Sequence, residues 1–423
     1  MLSWGETTGA LALMFNFAFF FPLFMAWVWI VGGLWYHFHW ERKSTGGPET
    51  PPEMAATPAC AILVPCFNEG QNVRETMVWL AQTEYPDFEI IAVNDGSSDD
   101  TGAILDELVA EIPQLRVIHF ASNQGKAMAL RMAALAARSE YLVCIDGDAV
   151  LHPCAVHWLM YHLTSGPRVG AVTGNPCIRN RSTLLGRLQV GEFSSIIGLI
   201  KRAQRIYGRV FTVSGVVAAF RKAALQRNRY WNTDMVTEDI DLTWLVQADH
   251  WDVRYEPNAL CWIWMPETLR GLWKQRLRWA QGGVEVLRRY ARRVLSWRRR
   301  RMWGLLIEYA LSVVWAYTMA FIFLLFFLGL IVSLPPALTV STLLPQWNGV
   351  ILGVTCLVQF AVSMVMDSRY EKGLWREYFW VIWYPLVFWL ISMLTTVVAV
   401  PKALLKRRGE RAVWVSPDRG LRP

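Results

Sequence analysis

The chain of 423 residues is 54% hydrophobic and contains 23 tryptophans, and several of its apolar windows exceed the roughly 20 residues that a helix needs to cross a bilayer. Length and composition therefore indicate a membrane protein that also carries one large soluble domain. The net charge of +8 comes mainly from arginines and lysines beside the apolar windows, where cytoplasmic anchors are expected, and this argues against a nucleic-acid-binding protein.

The first apolar window runs from about Leu11 to Tyr36 and is followed by two histidines, an arginine and a lysine. By the positive-inside rule, these residues place the next domain in the cytoplasm. The window is too long for a cleavable signal peptide, and basic residues rather than a cleavage site follow it. We therefore expect an N-terminal transmembrane segment at 1–43 and, from its glycines and prolines, a linker at 44–57.

Residues 58–266 carry the pattern of a domain in which strands and helices alternate. Strands are predicted at Ala61–Pro65, Glu89–Asn94, Arg116–Phe120 and Tyr141–Ile145, and helices at Glu69–Gln82, Asp100–Ile112 and Gly125–Arg138. This order predicts an α/β fold, a mostly parallel sheet flanked by helices, with functional groups at the carboxyl ends of the strands. Further along, Leu184–Tyr207 has a helical pattern and Arg209–Phe220 a β-like one.

The second half of the chain returns to the membrane. Glu267–Tyr290 is amphipathic and rich in tryptophan, lysine and arginine, so it is expected to lie in the membrane interface rather than to cross the bilayer. Eight arginines follow within 288–301, and they should meet anionic headgroups. We expect the amphipathic helix and the basic segment to make up region 267–303, and C-terminal transmembrane helices and a tail to make up region 304–423.

The three apolar blocks of that last region, at about 304–334, 349–366 and 375–400, create a topological conflict. One N-terminal and three C-terminal crossings would leave the basic segment Lys402–Arg411 outside the cell, against the positive-inside rule. Either the first block combines an interfacial segment with a span, or the last block is not a simple crossing.

Two acidic segments follow predicted strands. Asp95 ends the second strand, and Asn94-Asp95-Gly96-Ser97 fits an ordinary turn, although a carboxylate there can also accept hydrogen bonds from a nucleotide. Asp146 and Asp148 end the fourth strand with Gly147 between them. Two close carboxylates repel each other unless a cation lies between them, so a divalent ion that carries a diphosphate explains the pair better than a solvated loop does.

Two further segments lie on predicted helices. Thr237-Glu238-Asp239 begins a short helix, where its acids could serve only as N-terminal caps or where Asp239 could deprotonate an attacking hydroxyl. Gln275, Arg278 and Trp279 lie at positions i, i+3 and i+4 of one helical face. An amphipathic helix can show such residues without a function, but an amide, a guanidinium and an indole on one face could also hold a pyrophosphate and stack on a sugar.

In this order, the four segments resemble the D, DxD, TED and QxxRW signature of the processive family 2 glycosyltransferases, which include hyaluronan, cellulose and chitin synthases. Longer stretches resemble the bacterial poly-β-1,6-N-acetylglucosamine synthases of biofilm matrix, and these are Val172–Pro176, Gln189–Arg202, Val213–Gly215, Trp273–Gly283 and Trp414–Gly420. The resemblance spans nearly the whole chain. The chain departs from the family at two points. It has one N-terminal span where some relatives have two, and it has Asn94-Asp95 where many family members have two aspartates.

The resemblance implies a GT-A glycosyltransferase domain in a multi-pass protein of the bacterial inner membrane. The implied enzyme is processive and inverting, polymerises N-acetylglucosamine from UDP-N-acetylglucosamine into a β-1,6-linked exopolysaccharide, and couples synthesis to export. The resemblance also implies a small membrane partner subunit and activation by cyclic di-GMP. The eight-arginine stretch could belong to such a nucleotide site, although lipid headgroups explain it more simply.

The resemblance also assigns roles to individual residues. It assigns the nucleotide-sugar site to Glu69, Asp95, Lys126, Asp146, Asp148 and Glu238. Asp148 and Asp146 would hold the divalent metal, Mg²⁺ or Mn²⁺, with Asp148 the more direct ligand. Asp239 is implied as the catalytic base, and Gln275, Arg278 and Trp279 as the clamp on acceptor and pyrophosphate.

Other functions compete with this interpretation. A chitin- or hyaluronan-type synthase would share all four segments, and a non-catalytic membrane scaffold would be expected to have lost some of them. A dinucleotide-binding sheet is excluded because Val64–Gly70 has a single glycine where that fold needs a GxGxxG turn.

Overall fold

The computed structural model describes residues 9–42, 46–340, 342–343, 346–382, 384–407 and 409–412. Its strands are β1 Cys60–Cys66, β2 Phe88–Asn94, β3 Leu115–His119, β4 Tyr141–Ile145, β5 Val150–Leu151, β6 Val169–Ile178, β7 Val217–Arg221 and β8 Asp252–Ile263. Its α-helices are α1 Ala10–Tyr36, α2 Val73–Ala81, α3 Thr101–Glu111, α4 Lys126–Ala136, α5 Ala155–Thr164, α6 Leu184–Glu192, α7 Ile200–Ile206, α8 Lys222–Arg227, α9 Glu238–Ala248, α10 Leu269–Val294, α11 Trp303–Gly329, α12 Gln346–Asp367, α13 Tyr378–Val381 and α14 Tyr384–Leu405. A π-helical segment, Phe193–Leu199, joins α6 to α7.

The strands form one sheet in the order β3-β2-β1-β4-β7-β6-β8-β5. Strands β1 to β4 are mutually parallel, whereas β7 is antiparallel to both of its neighbours. The predicted strands and helices of the first half are therefore confirmed, with small differences at their ends, as is the mostly parallel sheet. Because parallel strands end at the same edge, the sheet brings Asp95 after β2 and Asp146 after β4 to one side.

The apolar strands fill both faces of this sheet. In β1, Ile62 and Val64 pack into the core beneath α2, α3 and α5, while Ala61 and Leu63 pack into a second core on the opposite face. Successive side chains of a strand point to opposite faces, so a continuous apolar run such as Cys60–Cys66 suits a strand covered on both sides. The prediction of a strand over Arg209–Phe220 was wrong for most of its length.

The part of that segment before β7 forms a loop. Its backbone N–H groups bond to threonine side chains instead of a neighbouring strand: Val213 donates to Thr243 Oγ1 at 2.9 Å and Ser214 to Thr173 Oγ1 at 2.8 Å. The β-branched and aromatic residues of this segment favour a strand by composition, but here the partners of the backbone decide the conformation.

Four helical stretches of the described residues are long and apolar enough to cross a membrane, namely Ala10–Glu41, Trp297–Gly329, Asn348–Asp367 and Phe388–Leu405. The predicted amphipathic helix is also present, as α10, which begins where Thr268 Oγ1 accepts the N–H of Gly271 at 3.1 Å. The last predicted apolar block is divided between α13 and α14.

Helix α14 runs alongside α10. Near the start of α14, the ring of Phe388 lies 5.9 Å from the Arg276 guanidinium, and near its end the carbonyl oxygen of Ala403 accepts a hydrogen bond from Arg288 Nη1 at 2.7 Å. Both ends of α14 therefore lie beside the amphipathic helix. Helix α14 is thus a candidate membrane span that also packs along the amphipathic helix.

The segment after α14 returns to the sheet domain. Lys406 Nζ donates to the carbonyl oxygen of Asp234 at 2.6 Å, Arg411 Nη1 to Gln124 Oε1 at 2.7 Å, and the backbone N–H of Ala412 to the carbonyl oxygen of Thr233 at 3.0 Å. The basic segment thus lies on the same side as the domain. The positive-inside rule expects this placement of a basic segment if the domain is cytoplasmic.

A buried ion cluster joins the membrane helices to the domain. Arg202 on α7 is fully buried, its Nε lies 2.5 Å from Glu41 in the π-helical segment His37–Glu41 after α1, and its Nη1 lies 2.8 Å from Asp367 at the end of α12. Ser194 Oγ donates a further hydrogen bond to Asp367 at 2.6 Å. One guanidinium therefore compensates two carboxylates that come from opposite ends of the sequence.

Replacing Arg202 with methionine is expected to destabilise the protein by about 3 to 5 kcal/mol, because it leaves two buried carboxylates without a cation. Arg227→Met is the control, since the side chain of Arg227 is exposed in its pair with Asp249 and exposed pairs contribute about 0 to 1 kcal/mol. Unfolding of both variants in detergent would measure the difference. Equal losses would contradict the role given to the cluster.

Candidate active site

Asp95 organises the loop that leads into α4. It is fully buried, and its carboxylate accepts hydrogen bonds from the backbone N–H groups of Gln124 at 2.7 Å and Gly125 at 2.8 Å. Burial raises the pKa of Asp95, and these two bonds oppose the rise. The next residue, Gly96, has a positive φ of 66° and lies so close to the loop that a Cβ would approach the Ser122 carbonyl carbon to 2.5 Å, so only glycine fits there.

Lys126, the first residue of α4, lies between two acidic segments. Its Nζ is 2.6 Å from Asp146 Oδ1 and 3.3 Å from Glu238 Oε1. Burial alone would lower the pKa of Lys126, but the two carboxylates outweigh this effect and raise it. The lysine is therefore a permanent cation that holds the segment after β4 against the start of α9.

The segment Asp146-Gly147-Asp148 packs tightly against the end of β1. A Cβ on Gly147 would lie 3.1 Å from Cys66 Sγ and 3.3 Å from Glu69 Cγ, which places the buried Glu69 beside the two aspartates. Burial raises the pKa of Asp146, and although Lys126 opposes the rise, the charges of Asp148 and Glu238 add to it. Negative charge is thus in excess around this lysine.

The chemistry of these donors fits a hard divalent cation. No group of three or more histidines, cysteines or acids within the described ranges could hold a metal by itself. Mg²⁺ is commonly held by one or two carboxylates together with substrate phosphates and water. Asp146 and Asp148 can supply the protein's share of such a site when a diphosphate supplies the rest.

Asp239 lies in the first turn of α9, beside the loop that precedes β7. A Cβ on Gly215 in that loop would approach Asp239 Oδ2 to 3.0 Å, so glycine leaves room at the carboxylate. Burial and the neighbouring charge of Glu238 raise the pKa of Asp239 to about 6, against the opposing charges of Lys126 and Arg278. A carboxylate with this pKa is ionised at neutral pH and can still accept a proton, as a general base must.

Helix α10 brings the last predicted segment to the same place. A Cβ on Gly282 would lie 1.9 Å from Thr237 Oγ1, so α10 and the start of α9 are in close contact. Gln275 Nε2 donates to Met265 Sδ at 3.7 Å, and the indole of Trp279 is half-buried. Arg278 is exposed, and its charge lowers the pKa of both Glu238 and Asp239.

The predicted site residues are therefore close to one another. Direct contacts join Lys126 to Asp146 and Glu238, and packing places Glu69 beside the Asp146-Gly147-Asp148 segment. The charge of Arg278 lowers the pKa of Asp239, and α10 contacts the start of α9 through Gly282 and Thr237. Asp95 is connected through the loop that ends at Lys126.

Sequence reasoning missed two residues near the site. Lys201 on α7 is buried, and its Nζ donates to Thr173 Oγ1 at 3.0 Å; burial lowers its pKa to about 7. No sequence signal singled it out within a helical stretch. Arg276 lies within the predicted clamp, and its guanidinium carbon lies 4.3 Å from the ring centre of Trp279. Its position beside Gln275 could have drawn attention to it.

Comparisons with known proteins identify the family. The model of the family described as "Glycosyltransferase like family 2" matches residues 58–282. A poly-β-1,6-N-acetyl-D-glucosamine synthase of Staphylococcus epidermidis is 38% identical over 412 residues, with 96% of this chain and 98% of that protein covered. One of Staphylococcus aureus is 37% identical over 411 residues, with the same coverage.

A solved structure supports the fold. A mannosyltransferase from Pyrobaculum calidifontis, in complex with GDP-Man and Mn²⁺, matches with a TM-score of 0.59 at 18% identity, over 92% of this chain and 99% of that one. The predicted GT-A fold is thereby confirmed. With a family model that matches over half of the sequence and relatives that match over nearly all of it, the chain belongs to the family 2 glycosyltransferases.

Proposed function

We propose that this protein is a membrane-embedded, processive, inverting glycosyltransferase that polymerises N-acetylglucosamine from UDP-N-acetylglucosamine into a β-1,6-linked polymer and couples synthesis to export. The observation that carries the proposal is the similarity to the staphylococcal poly-β-1,6-N-acetyl-D-glucosamine synthases, which extends over 96% of the chain and so includes both the catalytic domain and the membrane helices. The juxtaposition of acids and cations described above is consistent with that chemistry.

In the proposed reaction, Asp239 removes the proton from the 6-hydroxyl of the terminal sugar. The hydroxyl oxygen then attacks the anomeric carbon of the donor from the side opposite the diphosphate. A new bond forms between O6 and C1 while the bond from C1 to the diphosphate oxygen breaks, so the configuration at C1 inverts and UDP departs. The raised pKa of Asp239 suits a group that must accept a proton near neutral pH.

The remaining charges of the site serve the donor and its leaving group. We assign Asp148 and Asp146 to the divalent metal, Mg²⁺ or Mn²⁺, which when bound offsets the negative charge of the diphosphate. Lys126 keeps the segment after β4 in place, and Glu238 fixes the lysine from the other side.

We assign the uridine to the loop Gln124–Gly125, which the buried carboxylate of Asp95 holds in place. Glu69 lies beside the Asp146-Gly147-Asp148 segment, to which we assign the diphosphate. Gln275 and Trp279 are assigned to the acceptor, because an indole can stack on a sugar ring. Arg278 faces the leaving diphosphate from the same helix.

The membrane arrangement follows from the same proposal. We place the protein in the bacterial inner membrane, with residues 58–266 as the cytoplasmic domain, 1–43 and 304–423 as its membrane regions, and 267–303 at the interface. The tail supports this placement, because its basic residues contact the domain. A small membrane partner subunit and activation by cyclic di-GMP belong to the proposal as well.

The raised pKa of Asp239 gives a pH prediction. A base is active only when ionised, so kcat/KM should fall about tenfold per pH unit once the pH drops below the value of about 6. At pH 7 and above, protonation of this group should not limit the rate. Initial rates of UDP release from pH 4.5 to 8 would test this. An acidic limb near pH 4, the ordinary range of an aspartate, would contradict the assignment.

Product formation tests the function. Membranes that contain the protein, with and without its small partner, would be supplied with UDP-N-acetylglucosamine and Mg²⁺, and the product digested with β-1,6- and β-1,4-specific hexosaminidases. The expected product is cut only by the β-1,6 enzyme. Digestion by the β-1,4 enzyme would indicate a chitin-type synthase. A requirement for UDP-glucuronate would indicate a hyaluronan-type synthase, and the absence of both polymer and UDP release would indicate a non-catalytic scaffold.

A further inference from the structure

Two neighbouring arginines of α10, Arg276 and Arg278, have opposite environments, and only Arg278 belongs to the predicted clamp. Arg278 is exposed, and its charge lowers the pKa of Glu238 and Asp239, whereas Arg276 has only 7% of its surface exposed. Because Arg276 is buried and its guanidinium donates to Glu192, it is not available to bind the donor or the acceptor. Any effect of Arg276 on the reaction must therefore pass through the side chains that it contacts.

Those contacts converge on Trp279. The guanidinium carbon of Arg276 lies 4.3 Å from the centre of the Trp279 ring and 5.9 Å from that of Phe388 on α14. Its Nη2 donates to Glu192 Oε2 at 2.6 Å, and Glu192 is itself buried on α6. The planar cation is thus held in place from α6 and stacks on the indole, a geometry that guanidinium groups favour.

The ring of Trp279 consequently has little freedom. Arg276 covers one of its faces, and the ring of Phe193 lies 6.4 Å away at an interplanar angle of 53°. A half-buried indole with one face covered offers a sugar only the opposite face. An aromatic platform binds better when its rotamer is fixed before the ligand arrives, because less conformational entropy is lost on binding.

We propose that Arg276 is a positioning residue for the acceptor: together with Glu192, it holds one face of the Trp279 indole so that the opposite face stacks on the terminal N-acetylglucosamine of the growing chain. This inference rests on the proposed function, since it requires a sugar acceptor at Trp279. It goes beyond that function because it gives a role to the buried ion pair of Arg276 and Glu192, where α6, α10 and α14 meet. The pair supports the aromatic ring on which the acceptor stacks.

Arg276→Lys separates stacking from charge. Lysine can keep the ion pair with Glu192, but it lacks the planar group that covers the indole. The KM for a short β-1,6-linked N-acetylglucosamine oligomer should rise roughly threefold to thirtyfold, the range of a cation–π contact. The KM for UDP-N-acetylglucosamine and the rate of UDP release to water should stay unchanged, and the polymer should become shorter.

The matched control is Arg187→Lys. The Arg187 guanidinium stacks on Trp380 at 4.9 Å, away from the predicted site residues, so the same change should leave the acceptor KM unaltered. In case the single variant unfolds, the double variant Arg276→Met with Glu192→Met removes both buried charges at once, a change that folded cores tolerate. It should show the same rise in acceptor KM as Arg276→Lys.

The outcomes separate this inference from the proposed function. If the wild type makes polymer and Arg276→Lys has a normal acceptor KM, the role of Arg276 is refuted while the function stands. If Arg276→Lys lowers acceptor affinity, donor affinity and thermal stability to the same degree, Arg276 has only a structural role. That result would also refute the inference. A wild type that elongates no N-acetylglucosamine oligomer would overturn both proposals.

Discussion

Asp239→Asn is expected to abolish polymer synthesis, with a loss of turnover of roughly 10²- to 10⁴-fold, the usual contribution of a general base. The amide has nearly the same shape as the carboxylate, and its oxygen can still accept the N–H of Ile240, which Asp239 Oδ1 does at 2.9 Å. The start of α9 should therefore keep its structure. Only the ability to take up a proton is lost, so the affinity for UDP-N-acetylglucosamine should change little.

The control for this variant is Asp241→Asn, two residues further along the same helix. Asp241 also has a pKa raised by burial to about 6, but its carboxylate accepts hydrogen bonds from Tyr290 Oη at 2.7 Å and Asn232 Nδ2 at 2.8 Å. The same chemical change there should lower stability and leave turnover within a few-fold. Turnover and thermal unfolding of both variants would test the role of Asp239. If Asp239→Asn kept more than a tenth of the wild-type turnover, Asp239 would not be the base.

The catalytic half of the fold could be predicted because its signals are local. A buried strand such as β1 is a short, uninterrupted apolar run, and the acids of the site follow such runs directly. Parallel strands then place Asp95 and Asp146 at one edge without any further information. The position of Lys126 relative to these acids depends on how α4 and α9 pack. No short stretch of the sequence reveals that packing.

The membrane half was harder to predict for a physical reason. A helix that crosses a bilayer and one that packs along an interfacial helix both need a long apolar surface, so composition alone cannot distinguish them. Contacts such as that of Arg288 with Ala403 identify the place of α14. The cluster of Glu41, Arg202 and Asp367 was equally hidden, because its members are distant in the sequence and each is unremarkable by itself.

The clamp on α10 shows what the spacing of residues along a helix can predict and what it cannot. The i, i+3, i+4 pattern correctly placed Gln275, Arg278 and Trp279 on a helix, but it treated Arg276 as a residue between them. Burial separates the two arginines, and burial depends on what α6 and α14 cover. Since both elements lie far from α10 in the sequence, only the tertiary structure shows that one guanidinium is buried and the other exposed.

Arg278→Met is expected to reduce turnover by roughly 10²- to 10³-fold, as loss of one preorganised donor to a developing negative charge does in other enzymes. Arg278 is exposed and makes no hydrogen bond or ion pair with the described residues, so its removal should not disturb the fold. Charge builds up on the diphosphate as the bond to C1 breaks, and for that reason turnover should fall more than donor affinity. Equal losses in both would contradict this role.

The pH profile provides a second readout of the same variant. The charge of Arg278 lowers the pKa of Asp239, so its removal raises that pKa further, and the residual activity of Arg278→Met should start to fall at a higher pH than that of the wild type. Arg292→Met is the matched control, because Arg292 is exposed on the same helix and lies about 21 Å further along it at 1.5 Å per residue. It should keep both the turnover and the acidic limb of the wild type, since at that distance solvent screens its charge from Asp239.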